Sequence, residues 1–402
     1  MAHSPGGRWQ NFGNECAPEE VGMDSVALSR LQPLLESWVG KGKMPLATVR
    51  VARRGKVVFW GGCADEKARQ PMASDTIYRI YSMTKPITSV AIMMLLEEGK
   101  LGLNTPVHKI LGKKWHRDNM TVCIGGTKDE PELAPCRESI RIKHLLTHTS
   151  GISYGFDGTE MFNPVAGMYQ DALKFSIPTG HGDKSKVHAA IAEKGTIGSA
   201  WRLSDQVDKI AELPLCFQPG TRFHYGMNLE VLGRIVEVES GESFGKFLKE
   251  RIFTPLNMHD TSFVLPENKR GRFATCWYNS WMDGHVDITE AQRQGGDYVP
   301  GVSILETGGG GLISTMSDYF NFAQCMLSGG VPETAQGFSP ARRSNGWSPT
   351  TCPKAVTCVP LRWKATPRIR TQGSGLALAS PSCSVQWKRG KTKVQAHLAG
   401  VG

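Results

Sequence analysis

Apolar positions along the chain set out most of its elements. Val26, Leu28, Leu31, Leu34, Leu35 and Trp38 recur on a roughly helical period, with Asp24 where an N-cap belongs and Pro33 as a candidate kink. "ATVRVARRGKVVFWGG" (47–62) reads as two β-rich runs turning at Arg54-Gly55, and "TIYRI" (76–80) as a short strand. That strand feeds "YSMTKPITSVAIMMLLEEGK", a helix apolar on nearly every side that stops at Gly99 as its C′ glycine. From about Leu101 to Asp208 no sheet signal stands out, which predicts a helical insertion. Leu229, Val231, Leu232, Ile235 and Val236 form the stripe of a helix ending near Gly241, and a second helix follows through Ile252. "TGGGGLISTMSDYFNFAQCMLSGG" (307–330) predicts a glycine run, a short strand, and a helix capped by Ser317 or Asp318. A helix leading into antiparallel strands predicts an α+β fold.

After Gly330 the pattern stops. The last 71 residues carry 11 Lys plus Arg against one acid, Glu333; of the chain's 47 basic and 37 acidic residues, the body keeps 36 of each. The net charge of +10 therefore belongs wholly to the tail, and a nucleic-acid partner is not expected from it. Hydrophobic residues make up 40% and charged residues 21%, as in ordinary globular proteins. No apolar run is long enough for a membrane span, and the first residues show no secretory h-region; a cytoplasmic setting is expected, with an organellar matrix as the other option. The ten cysteines form no CxxC and no Cys/His cluster of zinc spacing, so reduced thiols, no metal and no cofactor are expected.

Ser82 and Lys85 stand at the mouth of the apolar helix, and i and i+3 share a helix face. A serine hydroxyl becomes a nucleophile when a base takes its proton. A lysine amine is such a base where burial and nearby cations disfavour the ammonium form. The helix start adds N–H groups able to stabilise an oxyanion. The bland alternative makes Ser82 an N-cap and Lys85 a side chain that snorkels to water.

The surrounding motifs favour chemistry. "YSMTKP" with its apolar helix, "EEGKLGLNTPV", "IKHLLTHTSGI", "FHYGMNLEVLGRIVE" and "TGGGGLISTMSDYFNFAQ" occur in an order and spacing that resembles the serine β-lactamase-related family. That family holds class C β-lactamases, family VIII esterases, D-alanyl-D-alanine peptidases and related acyltransferases. The resemblance implies a β-lactamase/transpeptidase-like fold, an antiparallel sheet flanked by helices with an inserted helical subdomain. It implies Ser82 as the acylated serine, Lys85 as its general base and Tyr225 as the proton-shuttling phenol. The implied function is a serine hydrolase on a small ester or amide, most simply an esterase; the alternatives are an acyltransferase on the same residues or a catalytically impaired relative. His144 and His148 are expected to be structural in a helix end and turn. Gly308 to Gly311 lack the Gly-Lys-Ser/Thr context of a phosphate loop and are read as a close backbone approach.

Two departures stand out. Met227 occupies the place of the asparagine of Y-x-N, and Asn228 comes one residue late, which favours an ester over a β-lactam. The third motif, K-T-G or W-G-G, is absent; neither Gly390-Lys391-Thr392 nor Trp387-Lys388-Arg389 supplies it. Reading each tail codon from its third base into the next two, with synonymous codons free, allows "NHLPKGGDM" from "SPTTCPKAVTC" and "VGFGLGFS" from "GSGLALASP". The same offset allows "SPGTFGWGG" from "KVQAHLAGVG", which restores a W-G-G. The expected organisation is an N-terminal extension (1–21), a catalytic domain (22–330, with the insertion at about 101–208), and a basic tail (331–402) that is disordered or out of frame. The C-terminal part of the sheet would then be missing.

Overall fold

The computed structural model describes residues 8–65, 72–155, 164–173, 201–280, 284–287, 305–327, 330, 382–389 and 392–399. The Asp24 carboxylate accepts from the Val26 N–H at 2.8 Å and opens the helix Ser25–Ser29, followed by Leu31–Gly40. Proline lacks an N–H, and its ring meets the carbonyl four residues back. For Pro33 that residue is Ser29, where the first helix ends, so the expected kink is a break upstream of the proline.

Leu46–Arg53 and Lys56–Ala64 form the expected hairpin, with Arg53 opposite Lys56. Arg54 and Gly55 both take left-handed φ, 52° and 77°, the two-residue turn whose twist suits paired strands. Arg8–Asn11 pairs along the free edge of Lys56–Ala64 and completes a three-stranded antiparallel sheet. A separate short pair joins Ile77–Arg79 to Ile313–Thr315.

Thr84–Glu97 is the central helix. Ile87, Val90, Ala91, Ile92, Met94 and Leu95 are all buried, as an all-round apolar helix requires. It shares the main core with Leu229, Val231, Leu232, Ile235 and Val236 of the helix Asn228–Ser240. Gly99, at φ 74°, closes it, and the Lys100 N–H donates to the Leu95 carbonyl at 3.1 Å.

Three local readings differ from the structure. The insertion contains helices His108–Leu111, Ile142–Leu146 and Pro164–Leu173, but also an antiparallel pair, Thr121–Gly126 with Pro131–Pro135. A register shift between Cys123 and Gly125 and prolines at both ends of the second strand hide the period-2 signal. The helix Met316–Leu327 is capped by Thr315, whose Oγ1 accepts from the Asp318 N–H at 3.1 Å. Asp318 instead accepts from the Asp260 N–H and from the Thr261 hydroxyl, at 2.7 and 2.9 Å. In the tail, Ser382–Arg389 pairs antiparallel with Thr392–Ala399, where the sequence reading placed no element. Residues 331–381, on which the rest of that reading falls, lie outside the described residues. Among the described residues no helix is long and apolar enough to cross a membrane, and no group of His, Cys, Asp and Glu is placed to hold a metal.

The glycine run is a close approach of backbones, as its composition suggests. A Cβ on Gly308 would lie 2.1 Å from the Leu229 carbonyl oxygen, whereas one on Gly310 would meet Tyr81 at an ordinary 3.7 Å. Gly308→Ala should therefore lower the thermal midpoint sharply and Gly310→Ala only slightly. Equal midpoints for the two variants in a calorimetric scan would contradict this packing.

Candidate active site

Ser82 lies in a single 3-10 turn, Tyr81–Met83, wedged between the strand Ile77–Arg79 and the central helix. Tyr81 has φ 38°, a left-handed value costly for a bulky residue and held by its surroundings. The turn leaves Ser82 half-buried, and the central helix has Met83 at its N-cap with no side-chain cap. Ser82 is therefore not a capping serine, and Lys85, 3% exposed, does not snorkel.

The lysine amino group reaches the serine hydroxyl, Nζ to Oγ 3.0 Å, and donates to the Gly309 carbonyl at 2.5 Å. Tyr225 closes the triangle: its hydroxyl is 2.9 Å from the Ser82 Oγ. Nζ also lies 4.8 Å from the Tyr225 ring centroid and 5.6 Å from that of Tyr154, a cation facing two aromatic rings. The structure thus brings together all three residues singled out from the sequence.

Sequence reasoning missed the layer behind them. Tyr154 stacks on Tyr225, centroids 5.3 Å apart at 12°, and donates its hydroxyl to Glu230 at 3.1 Å. Glu230 is 3% exposed, and burial pushes its carboxyl above the usual range while the charge of Lys85 pulls it down. A Cβ on Gly309 would fall 2.1 Å from the Glu230 carboxylate, so only glycine lets that backbone pass between Lys85 and Glu230. The legible signal was an acid inside the apolar stripe "NLEVLGRIV".

Met227 is 1% exposed within the main core, with the Gln206 amide 3.9 Å from its sulfur. Asn228 is fully buried, its side chain bonded to Ser150 and His148. Tyr81, Met83 and Phe223 are 49%, 47% and 53% exposed, the first two flanking Ser82.

The chain belongs to the Beta-lactamase family, whose model matches residues 29–376. An uncharacterized protein of Mycobacterium tuberculosis is 32% identical over 283 residues, 69% of this chain and 61% of its own length. This chain therefore spans less than two thirds of that relative. Esterase EstB of Burkholderia gladioli is 27% identical over 335 residues, covering 79% of this chain and 75% of its own. Among solved structures, unliganded simvastatin synthase of Aspergillus terreus superposes with a TM-score of 0.56 at 24% identity, over 77% of this chain and 69% of its own. EstCE1, a hydrolase with promiscuous acyltransferase activity, gives 0.54 at 20%, over 75% and 74%. These two likenesses show a shared β-lactamase-like fold.

Burial holds two histidines neutral. It pushes His144 down to about 4, with Lys143 and Arg141 adding to the effect. It pushes His148 down to about 3, with the charges of Lys85 and His224 adding. Unfolding returns both to the ordinary range near 6.5, so the unfolded chain binds protons that the native state refuses. Above about pH 6.5 the pair leaves stability unchanged; as pH falls from there toward 4 and then 3, each subtracts up to about 1.4 kcal/mol per unit. Urea unfolding at pH 7, 6 and 5 should give steadily lower free energies, the two imidazoles each taking up close to one proton at pH 5 against the opposing release from the raised carboxyls of Glu230, Glu306 and Asp318. A flat profile over that window would contradict two buried neutral imidazoles.

Proposed function

We propose that the chain is a serine hydrolase that forms an acyl-enzyme at Ser82 and acts on small esters, with amides as poorer substrates. The observation that carries this reading is the convergence of the Lys85 amine and the Tyr225 hydroxyl on one Ser82 Oγ, at 3.0 and 2.9 Å. In the proposed reaction Oγ attacks the substrate carbonyl and its proton passes into the Lys85–Tyr225 pair. Collapse of the tetrahedral intermediate expels the alcohol, which takes that proton through Tyr225. Water then attacks the acyl-enzyme by the same route in reverse. An alcohol or amine in place of water makes the reaction an acyl transfer on the same residues. EstB carries the name esterase, and the structure of EstCE1 is described with acyltransferase activity, which supports both outcomes. The burial of Met227 and Asn228 away from solvent favours an ester over a β-lactam, and the apolar side chains of Tyr81 and Met83 beside Ser82 suit an apolar acyl group. Free thiols at Cys16, Cys63, Cys123 and Cys136 accord with a cytoplasmic setting.

Ser82→Ala should abolish fluorophosphonate labelling and turnover of short-chain p-nitrophenyl esters. Lys85→Ala and Tyr225→Phe should each lower turnover by roughly 100-fold or more in a protein that still folds, because members of a catalytic unit act together. Undiminished labelling of the Ser82→Ala protein would remove the assignment.

We also propose that residues from about Pro332 onward are read out of frame, a reading that accounts for the charge imbalance and for the absent third motif. It leaves this chain without the strand that would complete the pocket, and its turnover impaired despite the Ser82 triangle. Inserting one nucleotide, or deleting two, near codon 332 should restore W-G-G and raise both solubility and ester turnover. Transcript sequencing that matches the printed frame, with full activity of the printed chain, would refute it.

A further inference from the structure

The phenol of Tyr225 has only its hydroxyl to offer chemistry, so its value depends on where the ring is held. One face lies on Tyr154. The ring also stacks on His148, centroids 4.9 Å apart at 30°. His148 is 3% exposed, stands just beyond the helix Ile142–Leu146, and takes a left-handed φ of 52°.

Its polar atoms also grip the chain on both sides of the tyrosine. The His148 carbonyl accepts from the His224 N–H at 2.9 Å, and its Nδ1 accepts from the Gly226 N–H at 3.3 Å. Nδ1 lies 2.9 Å from the Asn228 amide nitrogen as well. The Gly226 N–H can only donate, so Nδ1 is an acceptor and the Asn228 NH2 donates to it, leaving the Asn228 Oδ1 to accept from the Ser150 hydroxyl. Two donors on Nδ1 require the ring proton on Nε2. The residues before, at and after Tyr225 are thus all held by one histidine: His224 by its carbonyl, Tyr225 and Gly226 by its ring.

We propose that His148 is a positioning residue for Tyr225, which holds the phenol against Ser82 by clamping its ring face and both flanking peptides, and which works only as the neutral Nε2–H tautomer. This rests on the reading of Tyr225 as a proton shuttle. A simple packing role would be met by many apolar residues; two donors converging on Nδ1 would not. The groups that face the ring are Lys85 from the central helix and His224, Tyr225 and Asn228 from the gripped segment, with Phe223 edge-on at 6.0 Å. Burial, above all, keeps the imidazole uncharged, as the clamp needs.

Two variants separate the contributions. His148→Phe keeps an aromatic face without the acceptor, and His148→Asn keeps an acceptor near the Nδ1 position without the ring. Each is made alone and combined with Tyr225→Phe, and the acylation rate is read with p-nitrophenyl acetate and a fluorophosphonate. In the parent background each should slow acylation on the order of 10- to 100-fold, since a misplacement of about 1 Å carries that cost. In the Tyr225→Phe background the same changes should have little further effect, the signature of two residues acting through one unit. Equal losses in both backgrounds, or no loss in the parent, would overturn the proposal. If Tyr225→Phe alone leaves acylation unchanged, the shuttle reading fails instead, so the two failures are distinct. A readout that requires neither turnover nor a folded variant is nitrogen-15 NMR of the parent protein's imidazoles. It should show His148 as the Nε2–H tautomer at pH 7, neutral well below the ordinary histidine range. The Nδ1–H tautomer, or titration near 6.5, would overturn the proposal by itself.

Discussion

A lysine amino group taken out of water must find partners, and that need organises the structure around Lys85. Four separate parts of the chain answer it. The central helix brings the lysine itself, with Ser82 one turn before it. The glycine run brings the Gly309 carbonyl, the segment around 225 brings an aromatic face and a hydroxyl, and the helix Asn228–Ser240 brings the Glu230 carboxylate behind them. Each contact demands another: the Gly309 carbonyl reaches Nζ only because no side chain intervenes against Glu230. Remove the lysine, and the glycine run, the buried acid and the stacked tyrosines lose their common reason.

That arrangement joins electrostatics to chemistry. A lysine among a carbonyl, a carboxylate and two rings is fixed in place, whereas one in water samples many rotamers. The serine hydroxyl then meets a donor and a phenol whose positions are decided before a substrate arrives. Such preorganisation is what lowers a barrier, because no reorientation is left for the reacting step.

Ser82, Lys85 and Tyr225 were legible because each sits inside a local word: the serine and lysine one helical turn apart, the tyrosine in "YGM". The helices with continuous apolar stripes were legible for the same reason, as was the Arg54-Gly55 turn. What escaped depends on contacts between distant segments. Tyr154 and Glu230 lie 76 residues apart and meet only in the folded core. His148 resembles any histidine at a helix end until its Nδ1 is seen to receive two donors. The strand pair Thr121–Gly126 and Pro131–Pro135 escaped through a register shift, and the cap of Met316–Leu327 escaped because the hydroxyl of Thr315 does the work the sequence offered to Ser317 or Asp318.

The carbonyl that receives Lys85 is 224 residues downstream of it, and the strand leading into Ser82 is paired by residues further on still. Contacts of that span close large loops and form late, after local helices and hairpins. On the ribosome, the serine and lysine emerge together long before the segment that shapes their surroundings. During that interval the pair is an ordinary hydroxyl beside a hydrated ammonium, with none of the partners that the fold later brings to them.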